Sequence, residues 1–196
     1  PDKLTTQLWL DGMKAAHEVG FKTTATIMYG HVERPEHWAR HLLRLKALQA
    51  ETGGFTEFVP LPFVAAEAPI FRKGRARRGP TFREAVLMHA VARLVLHPLI
   101  PNIQASWVKL GPEGVAVCLA AGASDLGGTL MNESITRAAG AEHGQEMAPA
   151  RMDDLIRAAG RTPAVRTTLY GEAPATQVER ARRAAPLSPV LERTAR

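Results

Sequence analysis

The chain has 196 residues, 45% hydrophobic and 22% charged, a globular composition with length enough for one sizeable core, and this excludes general disorder. No apolar run approaches the roughly 18 residues of a membrane span, and no charged stretch leading into a short apolar one opens the chain, so a cytoplasmic protein is expected. A net charge of +6 raises nucleic acid as a partner, but basic residues without aromatic interleaving or a known binding motif point to a solvated loop and tail, or to an anionic ligand.

The chain begins at Pro1, as expected of a processed start or a piece of a longer polypeptide. Residues 5–20 place Leu8, Trp9, Met13, Ala16 and Val19 on one helical face, with Gly20 as the stop. A strand over 22–29 follows, rich in Thr and Ile and poorly alternating, as when both faces are covered. It breaks at Gly30 and delivers His31 and Glu33. Pro35 opens the next helix, whose stripe of Trp38, Leu42, Leu45 and Leu48 runs up to Gly53-Gly54.

The second strand is predicted over 55–61, with Pro60 and Pro62 marking its end or an exposed edge because proline donates no ladder bond. A connection over 63–80 carries the basic run Arg72-Lys73-Gly74-Arg75-Ala76-Arg77-Arg78; loops of that length tend to be lids or binding loops. Thr81 and Glu84 form a capping-box signature for a helix over 82–97. A third strand over 102–109, a short helix over 112–121 and a fourth, glycine-rich strand over 123–131 complete the pattern, before a helix around 149–159 and an arginine-rich tail from 172 to 196, expected to be disordered.

Four strands alternating with helices argue for parallel βαβ units. The expected fold is therefore α/β, the C-terminal half of a (β/α)8 TIM-type barrel with four parallel strands, spanning residues 1–171. Ligands sit at the carboxyl ends of such strands. That rule selects Met28, Gly30, His31 and Glu33, then Glu57, Pro60 and Pro62, then Gln104, Ser106 and Lys109, then Asp125, Thr129, Asn132 and Glu133. A rim of acids, amides and hydroxyls suits a polar small molecule. Glu33 and Glu133 could equally serve a helix N-terminus, and Trp107 could be core.

His37 and His41 have the spacing of a helical zinc pair, but no glutamate follows the first histidine as the hydrolase motif needs, so packing or surface histidines are expected. Cys118, the only cysteine, lies in an apolar run and reads as a buried structural thiol. No phosphate-cradling loop, dinucleotide fingerprint or nucleophile elbow is present.

The segments Thr24 to Glu33, Thr52 to Leu61 and Gly122 to Glu133, together with Arg166-Thr167-Thr168-Leu169-Tyr170-Gly171, resemble the C-terminal half of radical S-adenosylmethionine enzymes of the FO synthase family. The likeness covers roughly residues 5–171. It implies a (β/α)8-type barrel holding a 4Fe-4S cluster on a CxxxCxxC motif, with S-adenosylmethionine cleaved to a 5′-deoxyadenosyl radical. It also implies hydrogen abstraction from tyrosine and transfer of the tyrosine-derived hydroxybenzyl group to 5-amino-6-(D-ribitylamino)uracil, in coenzyme F420 biosynthesis.

Thr26 to Glu33 is similar to the family's adenosine-lining GxIxGxxE pattern: Gly30 and Glu33 match its last two fixed positions, while Thr26 stands for the first glycine and Met28 for isoleucine. Val59-Pro60 resembles the sheet end near the adenine. The resemblance thus implies Thr26, Met28, Gly30, Glu33, Val59 and Pro60 at the adenosine. It leaves His31, Glu57, Gln104, Lys109, Asp125, Thr129, Asn132 and Glu133 as candidates for the substrates.

The CxxxCxxC motif is absent and Cys118 cannot replace it. The expectation is a C-terminal fragment or split gene product, inactive alone, whose cluster ligands lie in an N-terminal barrel half or companion subunit. Open sheet edges would make the isolated chain prone to association. The alternatives are a menaquinone-pathway futalosine-type radical enzyme, a non-catalytic barrel half acting as a binding domain, and an anion-binding module built on residues 72–78. Residues around Glu57, Leu61 and Asn132 favour the FO synthase likeness.

Overall fold

The computed structural model describes residues 3–129, 134–140 and 143–188. The chain starts with α1 (Thr6–Glu18), whose Thr5 hydroxyl accepts the Leu8 N–H at 3.3 Å, and leads into β1 (Thr23–Tyr29). α2 (Pro35–Thr52) starts at the expected proline and stops at Gly53, which takes a left-handed φ of 59°. β2 (Phe55–Pro62) follows, then the short α3 (Pro69–Arg72) and α4 (Phe82–Leu96). The capping box predicted for α4 is formed: the Glu84 N–H donates to Thr81 Oγ1 at 3.2 Å and the Thr81 N–H to Glu84 Oε2 at 2.7 Å.

β1 and β2 pair in parallel, with Thr24 opposite Glu57 and Tyr29 opposite Pro62. Of the four expected strands, β1 and β2 alone form among the described residues, and residues 130 and 131 of the expected fourth lie outside them. The chain around Ile103 and Gln104 touches β2 through a single parallel bridge to Phe58, and Asp125 makes another to Gln104.

The prolines supply a physical reason. Phe58 turns both backbone groups toward the third segment, donating to Asn102 O at 2.9 Å and accepting from Gln104 N at 3.0 Å. Every second residue faces the same neighbour, so Pro60 and Pro62 stand where the next donors would be and have no N–H. β2 itself continues through both prolines, because its bonds to β1 use the intervening residues. Freed from the sheet, the chain turns into α5 (Trp107–Ala120), bent at Gly111, where φ is 69° and Pro112 restarts the helix. Residues 107–109, expected as strand, are therefore helical.

Beyond lie α6 (Ile135–Ala138), α7 (Pro149–Ala158) and α8 (Ala175–Arg183). Part of the tail expected to be disordered is thus a helix, held through Arg182 to the buried Asp153 of α7 at 2.8 Å.

One face of the sheet packs on helices. Ala25, Tyr29 and Phe58 meet Trp38, Leu42 and Leu45 of α2 and Met88, Ala92 and Leu96 of α4 in one apolar cluster. Truncating a leucine there to alanine costs about 2–5 kcal/mol. A second cluster joins Ala105, Trp107, Val115, Cys118 and Leu126. The sheet's other face is uncovered along β1: Thr24, Thr26 and Met28 are exposed while Ala25 and Tyr29 are buried. β1 therefore alternates, contrary to the two-sided covering expected of it.

Candidate functional site

Two polar assemblies sit at opposite ends of the sheet. At the carboxyl end, the turn after β1 is organised by Glu33. Its carboxylate accepts the backbone N–H groups of Gly30, His31 and Val32, the latter two at 3.1 Å, and the Trp38 indole N–H at 2.8 Å. The His31 ring lies against the same carboxylate. Burial opposes ionisation of Glu33, but the backbone donors, led by Gly30, and then Trp38 and His31 outweigh it and bring the carboxyl down to about 2.

Gly30 has a φ of 94°, and a Cβ there would lie 2.3 Å from the Pro80 nitrogen. The glycine is required because the 63–80 connection passes directly over it. That connection is pinned by the Arg77 N–H to the His31 carbonyl at 2.9 Å, by Arg77 donating to both oxygens of Glu84 at 3.0 and 2.8 Å, and by the Arg77 guanidinium 5.8 Å from the Trp38 ring.

Thr26, Met28 and Val59 line the inner, helix-free face just below this turn. Pro60 shares the face of Phe58 and is buried on the helix side. The two histidines of zinc-like spacing are otherwise engaged: His37 Nδ1 accepts the Arg34 N–H at 3.0 Å, and His41 Nε2 donates to the Thr26 carbonyl at 3.0 Å. Cys118 is fully buried, and desolvation pushes its thiol up to about 11.

The second assembly crosses the inner face nearer the amino ends. Glu57 is the third residue of β2, not a strand-end residue. Pro62 lies five residue steps further on, roughly 17 Å of strand. Its Oε1 accepts the Thr24 hydroxyl at 3.0 Å; its Oε2 accepts Gln104 Nε2 at 3.1 Å, an Arg166 guanidinium N–H at 3.4 Å and the Tyr170 hydroxyl. Asp125 accepts Arg166 Nε on one oxygen and the Gly127 N–H, at 2.5 Å, on the other. Arg166 lies 4.0 Å over the Tyr170 ring. Desolvation disfavours its charge, but the bond to Asp125 and the surrounding carboxylates hold its pKa above the ordinary value. Desolvation, then the bond to Glu57, pushes the Tyr170 phenol well above its usual range.

Of the rim residues expected from the sequence, the structure thus joins Glu57, Gln104 and Asp125 in one layer and places His31 and Glu33 in the other assembly. Lys109 lies in the first turn of α5 rather than at a strand end. Thr129 borders a cavity of about 660 Å³ shared with Asp125, Asp153, Arg161 and Arg166. Asn132 and Glu133 lie outside the described residues. Thr24, Arg166 and Tyr170 were not selected by strand-end reasoning; the segments Thr24 to Glu33 and Arg166 to Gly171, which carry the family likeness, held the sequence signal for them.

A family model described as the CofH/MqnC C-terminal region matches residues 52–178. A 5-amino-6-(D-ribitylamino)uracil--L-tyrosine 4-hydroxyphenyl transferase of Methanopyrus kandleri is 55% identical over 170 residues, covering 87% of this chain and 46% of the relative. The protein of the same name in Methanocaldococcus jannaschii is 51% identical over 87% of this chain and 47% of its own length. An FO synthase of Streptomyces avermitilis is 52% identical over 88% of this chain and 20% of its own length. The chain spans about half the length of the two transferases and about a fifth of the synthase.

Proposed function

The chain belongs to the CofH/MqnC C-terminal family, and from that premise we propose that it is the carboxyl-terminal half of a radical S-adenosylmethionine barrel. The assembled enzyme transfers a tyrosine-derived hydroxybenzyl group to 5-amino-6-(D-ribitylamino)uracil on the way to a deazaflavin. The observation that carries this is the 55% identity over 170 residues to a relative whose name states both substrates. A futalosine-type reaction is the second possibility within a family description that spans both CofH and MqnC; relatives named for the tyrosine reaction favour the first.

The chain's residues do not fit a four-iron cluster. Such clusters take several thiolates, and the one cysteine is buried with its thiol held protonated. The cluster's ligands belong to a companion half. S-adenosylmethionine fits better. Its adenosine would lie along Thr26, Met28 and Val59 under the 30–33 turn, with Glu33 holding the turn's shape rather than reaching the ligand. Bound there, and given one electron by the cluster of the companion half, S-adenosylmethionine would supply hydrogen-abstracting chemistry with methionine as the leaving group. This chain's part is to bind and orient substrates on its inner face and to exclude water from it.

The open edge of β1 and the uncovered row of Thr24, Thr26 and Met28 support a companion half that extends the sheet and roofs this face. Among the described residues no helix is long and apolar enough to cross a membrane, and a cytoplasmic location accords with small polar substrates.

The test is reconstitution. Combined anaerobically with a cluster-bearing N-terminal half, the chain is expected to yield the ribityl-pyrimidine adduct from tyrosine and 5-amino-6-(D-ribitylamino)uracil. Alone, it is expected to show no cluster absorbance after iron and sulfide loading. Turnover of a futalosine-type substrate instead would overturn the assignment, as would a cluster forming on this chain alone.

A further inference from the structure

We infer that Arg166 and Tyr170 are positioning residues that hold Glu57 on the floor of the substrate chamber, with one carboxylate oxygen directed to the open inner face. This rests on the proposed reaction and assigns a role to two residues beyond those selected from strand ends.

Thr24, Glu57, Gln104 and Asp125 come from four successive parallel segments and stand side by side at one level of the inner face, linked by the Thr24 and Gln104 bonds to Glu57. Above this layer, toward the carboxyl end, lie Thr26 with Val59 and then Met28 with Leu61. Barrel sites open at the carboxyl end, so the polar layer is their floor.

Two carboxylates this close would repel and reorient without a cation between them. Arg166 is that cation: its Nε serves Asp125 and its terminal nitrogen serves Glu57. Tyr170, stacked against the guanidinium, occupies the same Glu57 oxygen. Both project from a tight hairpin. The Thr167 N–H donates to Gly171 O at 2.9 Å, the Tyr170 N–H to Thr167 O at 3.1 Å and the Gly171 N–H to Thr167 Oγ1 at 3.0 Å.

Tyr170 has a φ of 63°, a left-handed conformation that non-glycine residues rarely adopt and that persists only where surrounding contacts impose it. Glu57 Oε2 is thereby crowded with three donors. Glu57 is 9% exposed, and its Oε1 carries the Thr24 hydroxyl alone among the described residues, which leaves it acceptor capacity beside the exposed Thr24. A fixed carboxylate beside the Gln104 amide suits a substrate dense in N–H and O–H donors, the chemistry of an aminopyrimidine carrying a polyol.

The experiment uses this chain assembled with its cluster-bearing half and follows kcat and KM for both substrates. If Tyr170 acts through Glu57, Tyr170→Phe and Glu57→Gln each raise KM for the pyrimidine by about tenfold, and the double variant is no worse than Glu57→Gln alone. Arg166→Lys keeps the charge but not the fork, and is expected to lose a similar factor at a near-native thermal midpoint. Losses that multiply in the double variant, or an unchanged KM in all three, would overturn the inference.

A second readout needs no turnover. On this chain alone, the Arg166 Nε–H is expected to exchange with solvent much more slowly than the exposed Arg34 Nε–H, and to lose that protection in Asp125→Asn; equal exchange at Arg166 and Arg34 in the unsubstituted chain also overturns it. A wild-type assembly that makes no product counts against the proposed reaction instead, and the exchange still decides the positioning.

Discussion

The two polar assemblies use the same chemistry with opposite reach along the chain. Around Glu33, every donor lies within five residues of the carboxylate. Around Glu57, partners come from residues 24, 104, 166 and 170. The first is a local clamp that a short stretch of chain carries with it. The second exists only after distant segments have been brought together, so it reports the whole fold and is formed at a larger cost in chain entropy. A carboxylate in the first assembly shapes a turn; in the second it ties together segments far apart in the chain.

Substitutions separate the two. Gly30→Ala is expected to have the largest effect, about 3 kcal/mol or more in urea unfolding. It combines a left-handed φ that alanine resists with a Cβ driven into the Pro80 backbone. A loss below about 1 kcal/mol would mean that the 63–80 connection shifts freely and the clamp is looser than it looks.

Arg166→Ala should follow, at about 2 kcal/mol, because two buried carboxylates lose their shared cation. Its effect should fall on hydrogen exchange in three separate segments, around residues 57, 104 and 125. Changes confined to 161–172 would break the comparison.

Glu33→Gln is expected to cost about 1–2 kcal/mol, through weaker acceptance of four N–H donors. Here pH sharpens the contrast. The Glu33 carboxyl is depressed to about 2 from an ordinary 4.5, so its contribution is fully present above about pH 4.5 and is lost as pH falls through 2. Acid titration of stability should therefore be flatter below pH 4.5 in Glu33→Gln than in the unsubstituted chain. Parallel curves would show that the carboxylate's charge does not hold the turn. Smallest, Thr81→Ala should cost about 1 kcal/mol by removing the α4 cap, read as a lower thermal midpoint with the Glu57 layer unperturbed.

Much of the frame was legible in the sequence. The starts of α2 at Pro35 and α4 after Thr81, and the apolar stripe from Trp38 to Leu48, follow from local rules and were recovered within a residue or two. The third segment reads as strand because Ile103, Trp107 and Val108 are strand formers, while the obstacle to pairing, a missing N–H at Pro60, lies in another segment. Lys109 was misplaced by the same error. Glu57 is selected on the premise that Pro60 ends β2, whereas the strand runs through both prolines and leaves Glu57 as its third residue.

Neighbours in the chain, or a recognisable order of motifs, specify α1, α2, α4 and α7, the parallel β1–α2–β2 unit, the Gly30 to Glu33 turn and the kinship, whereas α3, α6 and α8 follow from no local rule applied to the sequence. Tertiary packing decided that one sheet face stays exposed along β1 and that Pro60 turns away from it. It alone decided that Arg166 and Tyr170 meet Glu57 across more than 100 residues. The physical reason is that side-chain hydrogen bonds act over about 3 Å in space, and no periodicity in the chain specifies which remote residues will come within that distance.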